Sequence, residues 1–226
     1  MNFKMKICAS IGEPTYLHLE KSVKRAFEVG ADLVELRLDY LKDALDVQQI
    51  KRIIDGCVDR CILTLRSNRE GGLFKGSEEE RLQLIHQLSE LKPAYLDVEL
   101  DAVKREKKLS EVCEGVTLIV SKHSFTHTPN QSTLSKWVKE VLRLGSLGKV
   151  VTTAKNFRDN ITIIEILKRA PKGRLISFCM GELGLVSRIL SPLLGSPIFY
   201  ASLKKATASG QIELSDAVKL YRVLRV

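Results

Sequence analysis

The 226-residue chain holds one tryptophan, five tyrosines and no run of about eighteen apolar residues of the kind that spans a bilayer. Its opening, Met1-Asn2-Phe3-Lys4-Met5-Lys6, lacks the apolar core of a secretory signal and leads straight into a strand-like stretch, which points to a cytoplasmic protein. The cysteines (Cys8, Cys57, Cys61, Cys113 and Cys179) are odd in number and scattered, so they make no disulfide framework. The close pair Cys57-x-x-x-Cys61 has no histidine nearby to complete a zinc site, and buried, reduced thiols are expected. No block of five or six basic residues accompanies the net charge of +9, and aromatics are few. A nucleic-acid surface wants both clustered, so an anionic small molecule or a solvated exterior explains the charge better. No Gly-x-Gly-x-x-Gly turn follows the first apolar stretch, and no linker or low-complexity tract divides the chain.

What is present is a repeat. With 44% hydrophobic and 28% charged residues, the chain has the composition of a globular protein and the length for one sizeable core, residues 1–226 as a single domain. Short β-branched or apolar runs fall at Lys6–Ile11, Leu33–Leu38, Cys61–Leu65, Tyr95–Leu100, Thr117–Ser121, Lys149–Ala154, Leu175–Met180 and Pro197–Ala201. Between them apolar residues recur at helical spacing, as in Leu82, Ile85 and Leu88. Ser77-x-x-Glu80 is a capping box, and Gly30 suits a helix end. Eight strand–helix units at a spacing of about 28 residues predict a parallel (β/α)8 TIM barrel of the α/β class.

Side chains alternate across a strand, so parity assigns faces. In the second strand Val34, Leu36 and Leu38 suit the helix layer, which sends Glu35, Arg37 and Asp39 inward. The same parity turns Thr64 and Arg66, Asp97 and Glu99, Ser121 and His123, and Lys149 and Lys155 toward the axis. Barrel interiors are ordinarily filled by Val, Ile and Leu, and an unpaired buried charge costs several kcal/mol. One such residue is explained by a strand end reaching solvent. The same parity on five strands is better explained by a polar mouth that binds a ligand. A lysine desolvated beside Arg37 and Arg66 is expected to hold its proton less tightly, and only the neutral amine attacks a carbonyl. Histidine takes and returns protons near neutrality. Lysine, histidine, carboxylate and arginine together suggest Schiff-base chemistry on an anionic carbonyl substrate. His123-x-x-x-His127 has metal spacing only on a helix, and Thr126, Thr128 and Pro129 make it a loop. Gly181-x-x-Gly184 reads equally as a phosphate turn or as the start of the helix carrying Arg188.

These motifs resemble type I 3-dehydroquinate dehydratase, a Schiff-base enzyme of the shikimate pathway. The resemblance is carried by Glu35-Leu36-Arg37-Leu38-Asp39, Leu65-Arg66-Ser67-Asn68-Arg69-Glu70-Gly71-Gly72, Asp97-Val98-Glu99 and Ser121-Lys122-His123-Ser124-Phe125-Thr126-His127-Thr128-Pro129. It continues through Gly148-Lys149-Val150-Val151, Phe178-Cys179-Met180-Gly181 with Ser187-Arg188, and Lys204 to Ile212. It implies a TIM barrel, a homodimer, and removal of water from 3-dehydroquinate with no metal and no added cofactor. It further implies that Lys149 forms the imine, that His123 is the acid–base group, and that Glu70 orients it. Arg188 then matches the residue binding the substrate carboxylate. Ser10, Glu35, Arg37, Arg66, Thr207 and Gln211 match positions holding hydroxyls and carboxylate. Barrel catalysis at the carboxyl ends of strands favours Lys155, but the family pattern selects the lysine at the start of the sixth strand, Lys149. Phe178, Tyr200 and Thr207 depart from the Met, Phe and Ser of the bacterial forms. The alternatives are another Schiff-base barrel of aldolase or transaldolase type, and a catalytically silent barrel binding an anionic partner.

Overall fold

A computed structural model describes residues 5–106, 115–203 and 207–224; Cys113 and the Lys204–Ala206 part of the last motif lie outside them. Eight parallel strands alternate with helices, as the repeat predicts. In chain order they are β1 (Lys6–Ile11), α1 (Tyr16–Val29), β2 (Leu33–Arg37), α2 (Val47–Ile54), β3 (Cys61–Thr64), α3 (Glu78–Glu90), β4 (Tyr95–Glu99) and α4 (Leu100–Arg105). There follow β5 (Thr117–His123), α5 (Gln131–Leu144), β6 (Leu147–Thr153), α6 (Phe157–Arg169), β7 (Leu175–Met180), α7 (Leu185–Leu193), β8 (Ile198–Ser202) and α8 (Leu214–Leu224). The hydrogen-bonded order is β7-β6-β5-β4-β3-β2-β1-β8, a nearly closed (β/α)8 barrel whose terminal strands β7 and β8 meet at a seam. There the rings of Phe178 and Tyr200 approach to 6.4 Å between centroids. No described helix is long and apolar enough to cross a membrane.

The local signals act where the sequence puts them. Thr15 caps α1, and Gly30 ends it at φ 113°, a left-handed conformation that glycine adopts without a Cβ penalty. Ser77 and Glu80 complete the capping box of α3. Two strand boundaries differ from expectation by two residues, and the others by at most one. β5 continues through His123, and β6 begins at Leu147, which makes Lys149 its third residue rather than its first. β6 ends at Thr153, so the inward direction expected for Lys155 does not hold. Lys155 is exposed and its N–H donates to Asp159 Oδ2 at 2.7 Å, in the cap of α6.

Two apolar layers flank the strands. Val34, Leu36, Leu38, Leu63, Val98, Val120 and Val150 belong to the large cluster that the helices cover. Inside the barrel Leu33, Ile62, Ile119, Ile176 and Ile198 make a separate apolar floor. Each such side chain contributes about 1.5–3 kcal/mol on burial. One pleat higher β2, β3, β5 and β6 present Glu35, Thr64, Ser121 and Lys149, beside Ser10 and Asp97. The floor therefore supplies stability, and the layer above it is left to pair its charges. Glycine is required where the chain after β3 folds back, because a Cβ on Gly72 would collide with the Arg66 carbonyl group.

Candidate active site

The ten site residues expected from the sequence, Ser10, Glu35, Arg37, Arg66, Glu70, His123, Lys149, Arg188, Thr207 and Gln211, all line one cavity at the carboxyl ends of the strands. They arrive from different elements, and the polar groups that reach the cavity are paired in a specific order.

Lys149 Nζ lies 2.9 Å from Asp97 Oδ2, 3.5 Å from Glu35 Oε1 and 4.2 Å from the centroid of the Tyr200 ring. This corrects the expectation that guanidiniums surround the amine. Arg37 is held bidentately by Asp39, at 2.9 and 2.8 Å, and Arg66 donates to Asp97 Oδ1 and to Ser121 Oγ, both at 2.7 Å. The arginines are spent on carboxylates, and what faces the amine is negative charge and an aromatic face. Glu35 also accepts from Thr64 Oγ1 at 3.1 Å and from Ser10 Oγ. Burial works against its charge, but Lys149 and Arg37 outweigh it and hold the carboxyl below the usual range.

His123 closes β5 and is half-buried. Its Nδ1 lies 2.9 Å from Glu70 Oε2, which also accepts the His123 backbone N–H at 3.1 Å. With Nδ1–H donating to Glu70, Nε2 is left as the basic nitrogen. Burial and the nearby Arg66 lower the histidine pKa, against the opposing pull of Glu70, so the ring is neutral at physiological pH. Glu70 in turn sits 3.1 Å from Lys122 Nζ, which is 2.7 Å from Asp101. Lys122 has the outward parity on β5, yet its long stem reaches the loop above β3; strand alternation does not reveal that contact.

Arg188 stands on α7 and is almost wholly buried. Its guanidinium lies 4.2 Å over the Phe178 ring and donates to the Ser209 carbonyl at 3.4 Å, while Nε and Nη1 have no partner among the described residues. Burial lowers its pKa to about 10, which still leaves the group cationic at neutral pH. A buried cation without an anion costs several kcal/mol unless a ligand supplies one. The Gly181-x-x-Gly184 segment is the turn leading to this helix. The described part of the last loop is tied down over the cavity. Thr207 Oγ1 donates to Ser10 Oγ at 2.9 Å, Gln211 Oε1 accepts from Thr207 N at 2.8 Å, and the Gly181 N–H donates to Ser209 O at 3.1 Å.

Four further participants fall outside the expected set. Asp97 is the residue that both Arg66 and Lys149 share, and its inward parity is the signal that marks it. Tyr200 and Phe178 stand under the two cations, which strand order alone does not show. Arg81 reaches from α3 to Glu99 at 2.8 Å, a helix-to-strand pairing with no signature in the sequence. Among the described residues no group of three or more His, Cys, Asp or Glu is arranged to hold a metal ion.

Comparison with known proteins gives concordant matches. A family model described as Type I 3-dehydroquinase matches residues 7–226. The chain is similar to the 3-dehydroquinate dehydratase of Methanopyrus kandleri, with 38% identity over 201 residues, covering 88% of this chain and 90% of the relative. It is also similar to that of Methanocaldococcus jannaschii, with 32% identity over 96% of this chain and 98% of the relative. The crystal structure of the 3-dehydroquinate dehydratase from Aquifex aeolicus superposes with a TM-score of 0.84 at 32% identity, covering 97% of this chain and 98% of that one.

Proposed function

The chain belongs to the type I 3-dehydroquinase family, and on that premise we propose that Lys149 captures the substrate ketone as an imine while His123 moves the protons. The reaction itself, removal of water from 3-dehydroquinate by a hydro-lyase of aromatic amino-acid biosynthesis, goes with the family. The assignment of residues is our reading. Its strongest support is that a buried amine, a glutamate-held imidazole and a guanidinium lacking a carboxylate line the same cavity.

In this reading the Lys149 amine adds to the ketone and water leaves, giving an iminium. Neutral His123 Nε2 takes the proton from the adjacent carbon, and the electron pair of that C–H bond flows toward the iminium nitrogen. The resulting enamine expels the hydroxyl, which carries away the proton held by His123, and water then hydrolyses the conjugated iminium, releasing the enone and the free Lys149 amine. One two-way group serves both steps when proton and hydroxyl leave from the same face. Glu70 fixes the tautomer that presents Nε2. Arg188 receives the substrate carboxylate, because it is a planar donor whose free N–H groups await an anion. Ser10, Glu35, Arg37, Arg66, Thr207 and Gln211 hold the hydroxyls and shape the rest of the pocket.

We further propose a single catalytic domain acting as a cytoplasmic homodimer. The exposed Phe157 and Ile161 of α6 and Leu190 and Leu193 of the adjacent α7 support the dimer, as a paired apolar surface that a second copy would cover.

Borohydride added with 3-dehydroquinate should leave a stable adduct on the peptide containing Lys149, while the uninhibited enzyme generates the ultraviolet absorbance of a conjugated enone. Labelling at Lys155 instead would refute the assignment. Arg188→Ala should raise KM by about ten- to a hundredfold and change kcat less, since one buried charge-assisted contact contributes about 1.5–3 kcal/mol. An unchanged KM counts against its role.

A further inference from the structure

We propose that Asp97 is the counter-ion of the imine nitrogen, a catalytic carboxylate that keeps the Lys149 adduct in its cationic iminium form until the carbon–hydrogen bond has broken. This rests on the reading of Lys149 as the imine-forming residue.

The geometry separates the two oxygens of Asp97 by task. Oδ1 is saturated by Arg66 Nη2 and Ser121 Oγ, each at 2.7 Å, which fixes the carboxylate plane. Oδ2 is 2.9 Å from Lys149 Nζ. Glu35 is the other carboxylate near the amine, but it is farther, at 3.5 Å, and already accepts from Thr64 and Ser10. Asp97 is wholly buried; burial opposes its charge, and Arg66 and then Lys149 overcome this and hold the carboxyl far below the usual range. Across the working pH range it is therefore a fixed negative charge.

The charge on nitrogen changes in a definite order through the cycle. The resting ammonium is positive, the attacking amine is neutral, and the iminium is positive again. A carboxylate at hydrogen-bond distance stabilises both positive forms and disfavours the neutral one. Asp97 thus opposes the attack and favours everything that follows it. The iminium N–H donates to Oδ2, so the nitrogen keeps that proton. When His123 removes the carbon-bound proton, the electrons neutralise a true cation instead of loading a neutral imine. The electron sink is as deep as the nitrogen is positive, which is what Asp97 secures.

The groups at Nζ are Asp97 from β4, Glu35 from β2 and the Tyr200 ring from β8, with the His123 ring of β5 and the Cys8 thiol of β1 close enough to feel its charge, and Arg66 reaching it only through Asp97. Of these, Asp97 is the carboxylate whose removal alters charge at Nζ most directly.

The test compares full-length wild type with Asp97→Asn, measuring borohydride capture of 3-dehydroquinate at Lys149 and enone production across pH. With the charge gone, capture should persist and its half-maximal pH should fall by about one unit or more. Enone production should drop by roughly two to three orders of magnitude. Asp97→Glu, which restores the charge, should recover part of the turnover and return the capture profile to higher pH. Capture and turnover falling together with an unmoved pH profile would mean that Asp97 is only structural, and would overturn the proposal. If Asp97→Asn fails to fold, Ser121→Ala decides, since it loosens the carboxylate without removing its charge. Turnover should then fall about tenfold with capture at the wild-type pH, and unchanged turnover refutes the inference. Absence of any Lys149 adduct in the wild type would instead sink the imine reading on which this one stands.

Discussion

Replacing Lys149 with methionine should abolish turnover, with enone production falling by roughly four to six orders of magnitude, as for loss of a covalent nucleophile acting within a concerted set. Methionine keeps the length of the stem to Cε, with sulfur in place of Cδ, and lacks the amine, so any residual rate reports what the rest of the pocket does without an imine. The protein should still fold. Asp97 retains Arg66 and Ser121, and Glu35 retains Ser10 and Thr64, so neither carboxylate is stranded, although each loses a cation. A thermal melt should show destabilisation below the roughly 3–5 kcal/mol that follows when a buried charge loses its only partner. Mass spectrometry after borohydride treatment should show no substrate adduct. A variant that turns over within tenfold of wild type would remove Lys149 from the chemistry.

His123→Ala should separate capture from elimination. The imine should form, and the fraction trapped by borohydride should rise because the next step is blocked. Dehydration should slow by roughly two to four orders of magnitude, the usual contribution of a positioned acid–base group. The wild-type pH profile follows from the same residue. The working form is the neutral imidazole, and burial together with Arg66 lowers its pKa, with Glu70 acting in the opposite sense. Activity should therefore be full at neutral pH and lost as pH falls through a value below about 6.5, the ordinary histidine value. Glu70→Gln removes the group that raises the pKa, so its acidic limb should move lower still, alongside a fall in kcat from the lost orientation. A limb that moves upward contradicts the assigned polarity of the pair.

Much of the architecture is legible in the amino-acid order because the signals are local. Eight short apolar runs alternating with helical spacing specify a parallel barrel, and strand parity alone turns Glu35, Thr64, Asp97, Ser121 and Lys149 to one interior. Less legible is which charge answers which. The amine was expected beside arginines, and the chain instead places it between Asp97 and Glu35, because Arg66 spans from the end of β3 to Asp97 on β4 and Arg37 turns back on Asp39. Such choices depend on rotamers and on the register of strands 31 to 114 residues apart, as in Arg66 with Asp97 and Lys149 with Glu35. The same limit hides Lys122 and Arg81, long side chains that start from the wrong face or a helix and reach the site's supporting carboxylates. Strand ends are similarly soft. The polar His123 continues β5 because it pairs in register with Val151, which a propensity-based boundary does not anticipate.

The unlaced junction of β7 with β8 has a further consequence. Where other neighbouring strands are sewn together by main-chain bonds, here the Phe178 and Tyr200 rings fill the gap, and on those rings lie the guanidinium of Arg188 and the amine of Lys149. Architecture and reactivity thus draw on the same pair of rings. A mutation that loosens the wall at this point also displaces its two positive groups, so drift at positions 178 and 200 is coupled and the pair is expected to change in concert.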